Sequence, residues 1–282
     1  MKTKIISLLI IFLSISIKGY SQFTWYNPVD DEKQISAEWT KPFIDENLDQ
    51  NDEVTFLSSV LFIKGFLPVS ENLIFLFDLP FSHWGFQDGD GVDEQASHTT
   101  VGNIYLGGQF KLSEIFSGLS PSIETGFRLP IMPEPDFPDK RGYFTGYYSS
   151  IDRREAFTEN IIPAMGFLHL DYKINPVASV RLSGGASYWI TTKNSPTSNQ
   201  LYLTQSFQVN FTTPELGGRI GLTGKYNVAP TDSYLSRDDV TQFHAGVNKN
   251  FKRWKLEVFI RTPLENQFFE LAYGSKLSFQ IK

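Results

Sequence analysis

From residue 179 to residue 189 the chain reads SVRLSGGASYW, and its side chains sort by parity. Val180, Leu182, Gly184, Ala186 and Tyr188 fall on one face of an extended strand; Ser179, Arg181, Ser183, Gly185 and Ser187 fall on the other. The same period-2 alternation recurs from residue 34 to the end, and helical periodicity is hard to find. It predicts twelve strands, over 34–43, 54–67, 73–83, 101–112, 121–132, 159–174, 177–192, 200–212, 216–229, 240–251, 254–263 and 267–281. Most exceed the ~5–6 residues usual in globular proteins and reach the ~9–11 that a tilted strand needs to cross a bilayer.

The links between strands alternate in length. Strands 2, 6, 8 and 10 are followed by short turns (PVSEN, then stretches around Asn175–Pro176, Pro214–Glu215 and Lys252–Arg253), and strand 4 by the slightly longer SEIFSGLS. Strands 1, 3, 5, 7 and 9 are followed by longer links, among them WGFQDGDGVDEQASHTT and the Tyr- and Arg-rich stretch at 133–156. Only the short link after strand 11 breaks the rule. Proline recurs where odd strands end, in WTKPF, FDLPF, FRLPI, NVAP and IRTPL, and marks one rim because it cannot donate to a ladder.

Alternation alone does not say which face is wet. Twelve long antiparallel strands in water would need a second layer over their apolar face, and the chain offers no helices for it. A closed barrel in a membrane leaves no edge and turns the apolar face to lipid. The fold expected is therefore all-β: a single up-and-down antiparallel transmembrane β-barrel of about twelve strands, with short periplasmic turns and long outer loops. Trp39, Tyr188, Phe211, Tyr226, Trp254 and Phe279 would mark the interfaces. Strands 2 and 3, VTFLSSVLFIKGF and LIFLFDLPF, are apolar on both faces, so the lumen beside them should be packed and dry.

With the faces assigned, the lumen is charged. Its candidate lining comprises Glu38, Thr40, Asp78, Lys111, Glu124, Arg128, His169, Asp171, Lys173, Arg181, Arg219, Lys225, Glu257, Arg261, Glu270 and Lys276. Thr40, Asp78, Arg128 and Arg261 each precede a rim proline by two residues and should point inward near the outer mouth. Opposed charges there could orient a polar solute or form a structural salt-bridge belt. Charges in so narrow a space must pair or stay hydrated.

Composition adds an address. Lys2 and Lys4 precede the apolar run IISLLIIFLSISI, then small residues, which reads as a signal peptide over 1–21 cleaved after Ser21. A periplasmic segment at 22–33 and the barrel at 34–282 would follow. Losing Lys2, Lys4 and Lys18 takes the formal net charge from −6 to −9, so a basic footprint for nucleic acid is absent. No cysteine is present, hence no disulfide and no thiolate metal site. No cofactor is expected. QDGDGVDE at 87–94 lacks the final acidic ligand of a calcium loop, and Asn210-Phe211-Thr212, which matches a glycosylation acceptor, is discarded because it lies within a strand.

At LFDLPFSH, VGNIYLGGQF and ETGFRLP the chain resembles a family of uncharacterised bacterial barrels related to the transporters of the phenol meta-degradation group. A signal ending in Ser-Gln resembles those of Bacteroidetes-type bacteria. The resemblance covers about residues 34–132 and the last strand, and it implies a barrel and a channel without naming a substrate. The terminal Lys282 departs from the aromatic ending of many barrels.

The reading is an outer-membrane protein, exported by a cleaved signal, that acts as a narrow passive channel for small solutes and is not an enzyme. Its partners would be outer-membrane lipid and lipopolysaccharide, the barrel-assembly machinery and an unidentified solute. A plugged barrel displaying the 133–156 loop is the alternative. A lipid-modifying enzyme is a third reading, in which His169 and Asp171 share a face that Ser183 or Ser187 could approach.

Overall fold

The computed structural model describes residues 33–44, 58–84, 98–132, 140–192, 199–228, 239–264 and 269–281. The expected signal peptide, nearly all of the 22–33 segment and the acidic 87–94 loop lie outside these residues.

The strands are β1 (Gln34–Ile44), β2 (Ser59–Pro68), β3 (Leu73–Trp84), β4 (His98–Val101), β5 (Ile104–Lys111), β6 (Leu119–Leu129), β7 (Ile161–Lys173), β8 (Ala178–Thr191), β9 (Gln200–Thr212), β10 (Leu216–Asn227), β11 (Val240–Phe251), β12 (Trp254–Pro263) and β13 (Phe269–Gln280). Every pairing is antiparallel, and β13 returns to β1 from Gln34↔Gln280 to Ile44↔Phe269, which closes the ring. β4 and β5 both pair with β3 and form the two halves of one interrupted stave. The barrel thus has twelve staves and no free edge. The single strand expected over 101–112 is corrected: it breaks at Gly102–Asn103, for a reason given below.

Parity decides what each strand buries. Along β9, Gln200, Tyr202, Thr204, Ser206, Gln208 and Asn210 are buried, whereas Leu203 and Phe211 are exposed. Along β12, Glu257 and Arg261 are buried, and Val258 is 50% exposed. Polar groups inside and aliphatics outside invert the order that water enforces; only a hydrocarbon surrounding makes the arrangement favourable. Aromatics stand on this outer surface near both rims. Trp39 meets Tyr273 edge-on at 5.9 Å, and Phe251 stacks on Trp254 at 3.7 Å.

The rim prolines fall just past the end of a ladder. β1 stops pairing with β2 at Thr40↔Val60, β3 with β5 at Asp78↔Tyr105, and β12 with β13 at Arg261↔Ala272. Pro42, Pro80 and Pro263 each come two residues later, beyond the end of that ladder but still in register with the other neighbour at Ala272, Phe62 and Gln242, so the missing N–H is spared where one of the two ladders has ended.

The apolar inner faces of β2 and β3 are packed. Val60 and Phe62 join Met132, Tyr147, Ala156 and Phe157, while Ile74 and Leu76 join Tyr105, Met165 and Phe167. Four of the first six come from the link between β6 and β7, which contains an α-helix, α1 (Lys140–Ser149), and a 3₁₀ segment (Ile151–Phe157). The sequence of this link carries no period-2 pattern.

Candidate functional site: a charged constriction in the bore

The β6–β7 link turns back into the barrel instead of projecting from it. Its docking point is the break in the fourth stave. Asn103 donates its backbone N–H to the Ala156 carbonyl at 2.6 Å, and its side-chain amide to the carbonyls of Glu155 at 3.1 Å and Thr158 at 2.7 Å. Its Oδ1 accepts from Met132 N at 3.2 Å. A Cβ at position 102 would collide with the Ala156 carbonyl and the Phe157 ring, so only glycine permits this approach. The Gly-Asn of VGNIYLGGQF thus serves as a clasp.

Charges carry the segment across the bore. Glu38, on β1, accepts from Lys64 Nζ at 2.5 Å, Arg153 Nη2 at 2.5 Å and Arg261 Nη2 at 2.6 Å. Glu155 meets Lys225 Nζ at 2.9 Å and Arg128 Nε at 3.6 Å. Arg128 also reaches Asp78 at 3.1 Å and the Asn103 carbonyl at 2.9 Å. Asp152 lies 3.4 Å from Arg153 and 3.8 Å from Arg261. β1, β6, β10 and β12 stand on different sides of the ring, so a segment touching all four occupies its interior. Aromatic faces seat several of the cations: Arg153 lies 3.5 Å from the Phe62 ring centre, Arg261 4.7 Å from Phe259, and Lys225 4.7 and 4.6 Å from Trp189 and Tyr202.

The residues expected from sequence distribute as follows. Thr40, Asp78, Arg128, Lys225 and Arg261 are buried in or beside the constriction. Arg128 pairs with Asp78, whereas Arg261 reaches Glu38 instead of a rim partner. Arg219 bonds Glu257 at 2.6 Å, and Lys276 is buried between the register positions of Glu38 and Glu257. Toward the short-turn rim, Arg181 grips Asp171 with two bonds of 2.7 and 2.8 Å. Lys111 is half-buried and Lys173 exposed at that rim. The Glu270 side chain is outside the described residues.

Glu124 and His169 form a different group. His169 Nδ1 lies 2.9 Å from Ser183 Oγ, its Nε2 lies 3.1 Å from Glu124 Oε2, and Tyr105 donates to Glu124 at 2.7 Å. The carboxylate partner of this histidine is therefore Glu124, not Asp171, which Arg181 holds. Ser183, His169 and Glu124 are each 1% exposed, and the neighbouring strand N–H groups are committed to ladders. The chain of bonds ties four adjacent staves together.

Sequence reasoning missed Lys64, Asp152, Arg153 and Glu155. Lys64 hid in a strand apolar on both faces, and the other three sit in a link without period. Display of the 133–156 loop outward is also corrected for its described part, since Asp152 through Phe157 are buried in the bore. Among the described residues no cluster of His, Asp and Glu has the makings of a metal site.

Comparison with known proteins bears on the fold. No protein-family model matches the chain, and no curated protein matches it by sequence. An outer-membrane channel from Pseudomonas putida F1 superposes with a TM-score of 0.62 at 14% identity, covering 91% of this chain and all of that one. The NanC porin gives 0.56 at 5% identity, over 88% of this chain and all of its own. At such identities the likeness establishes a shared closed barrel.

Electrostatics make the clasp pH-sensitive. Burial pushes the Glu155 carboxyl up, but Lys225 and Arg128 outweigh it and hold it below its ordinary value. Stability from this group is present above the ordinary carboxylate range, and it is lost as pH falls through the depressed folded value. Glu155→Gln should cost about 2–3 kcal/mol at neutral pH by leaving Lys225 without its carboxylate, and should flatten the acid limb of stability. Unfolding midpoints from pH 3 to 7 check both.

Proposed function

We propose that this chain is an outer-membrane channel for small solutes, throttled by the 140–157 segment folded into its bore. The observation that carries the reading is the inverted barrel with a charged, segment-crossed interior: an aliphatic exterior, and buried ion pairs where a soluble protein keeps its core. The likeness to an outer-membrane channel and to a porin supports it. The His169–Ser183–Glu124 group is buried to 1% exposure at each residue, which favours transport over hydrolysis.

The rest of the reading belongs to the same proposal. Export follows cleavage after Ser21, the barrel-assembly machinery inserts the protein, and the long loops meet lipopolysaccharide. Kinship with the barrels of the phenol meta-degradation group, in a Bacteroidetes-type bacterium, rests on the motifs around LFDLPFSH and VGNIYLGGQF.

Purified protein in planar bilayers tests the function. Small, discrete conductance steps are expected, with unboiled protein migrating anomalously in a denaturing gel. A compact, heat-modifiable barrel without conductance or solute flux would remove the channel.

A further inference from the structure

We propose that the constriction binds a small oxyanion, carboxylate or phosphate in type, and so makes the bore anion-selective. The proposal rests on the channel reading for its transport half and on the site alone for its binding half.

The sign of the interior is opposite to that of the chain. The whole sequence carries a net charge of −6, yet among the described residues nine Lys and Arg side chains are buried against six Asp and Glu. The half-buried Asp171, bound to Arg181, makes seven. The carboxylates are also shared: Glu38 serves three cations and Glu155 serves two. A buried positive surplus is costly unless an anion joins it.

Two features leave that surplus open to a ligand. Arg153 is fully buried and Arg128 nearly so, yet Arg153 Nη1 has no hydrogen-bond acceptor among the described residues, and Arg153 Nε and Arg128 Nε have carboxylates only at 3.4 and 3.6 Å, Asp152 and Glu155, without a hydrogen bond to either. Guanidinium donors of this kind match planar or tetrahedral oxyanions. The rings of Phe62, Phe259, Trp189 and Tyr202 hold the cations in place by their faces. An aromatic face fixes a cation's position without neutralising it, so the positive potential survives for an incoming anion.

The experiment pairs two readouts on the full chain. In bilayers under a potassium chloride gradient, the zero-current potential should show chloride preferred over potassium, and inorganic phosphate should block the chloride current. In detergent, phosphate should raise the unfolding temperature above that in chloride of equal ionic strength. Arg153→Gln should lower the anion preference by roughly tenfold, the effect of one charge at about 10 Å in an effective dielectric of about 20. It should also abolish the phosphate-specific stabilisation, whereas Arg153→Lys retains both in part. Gel migration of unboiled protein confirms that each variant folds.

Conductance without anion preference, or phosphate stabilisation that survives Arg153→Gln, overturns the proposal and leaves the channel standing. Phosphate stabilisation that Arg153→Gln removes, in a protein that never conducts, upholds the binding site and removes the channel. No phosphate stabilisation and no conductance overturns both.

Discussion

Excising residues 140–157 and joining the flanks with a short Gly/Ser linker is expected to raise single-channel conductance about tenfold, because a helix with its side chains fills some 10–12 Å of a bore intermediate between the packed eight-stranded and the open sixteen-stranded barrel. The deletion removes Tyr147, Ala156 and Phe157 from the inner face of β2 and takes Asp152, Arg153 and Glu155 out of the ion-pair network. Glu38, Arg128 and Lys225 then lose partners, but water enters with the same step and hydrates them, so the barrel itself should survive. The shell is held by closed ladders from β1 to β13 that the segment does not join. Bilayer recordings of the two proteins side by side measure the effect. Equal conductance would mean that the segment is not the throttle, and that the wall side chains set the passage.

A milder version of the same result should come from the clasp. Asn103 donates two side-chain hydrogen bonds and one backbone hydrogen bond to the β6–β7 link and accepts one on its side-chain oxygen, all from a single break in the wall. The break follows from chemistry at two positions: a glycine where a carbonyl comes too close for a Cβ, and an amide that satisfies several backbone groups at once. An uninterrupted strand over 101–112 would have had neither the space nor the free donors. The interruption and the inward fold are thus one feature seen from the wall and from the bore.

This explains which parts of the molecule the sequence disclosed. A strand with one wet and one greasy face writes its geometry into adjacent residues, so the alternation of Val180, Arg181, Leu182 and Ser183 fixes faces locally. Closure followed from the number of staves and the rhythm of links. The doubly apolar β2 also told truly, since Val60 and Phe62 have an inner partner in Phe157. What it hid was Lys64, whose face reads as inward only once the register of the whole strand is known. The segment was hidden for a stronger reason. IDRREAF has no period to read, and its meaning lies in Glu38, 115 residues away from Arg153, and in Lys225, 70 residues from Glu155. Contacts at that separation leave no local trace. Likewise parity puts Asp171 on the face of His169 within one strand, while the carboxylate that reaches the ring is Glu124 across the ladder. In a barrel, lateral neighbours are close in space and distant in sequence.

The second large effect is expected at Glu38. Glu38→Ala should destabilise the barrel by about 3–5 kcal/mol, the range for removing one member of a buried charge cluster. The carboxylate is 1% exposed and takes three cations, Lys64, Arg153 and Arg261, with Lys276 at the adjacent register position. Without it Lys64 loses the carboxylate it bonds, and Arg153 and Arg261 keep Asp152, at 3.4 and 3.8 Å, against a larger mutual repulsion. The reverse truncation is not symmetric. Lys64→Met leaves Glu38 with two guanidinium partners and replaces an ammonium by an apolar chain beside Phe62, so it should cost less than about 1 kcal/mol or even stabilise. Urea unfolding in detergent, followed by the heat-modifiable gel band, ranks the two variants. The asymmetry is the diagnostic quantity, because general loss of packing would affect both alike. If Glu38→Ala unfolds no earlier than Lys64→Met, the cations are satisfied by water, and Glu38 is not the counter-charge that locks the constriction.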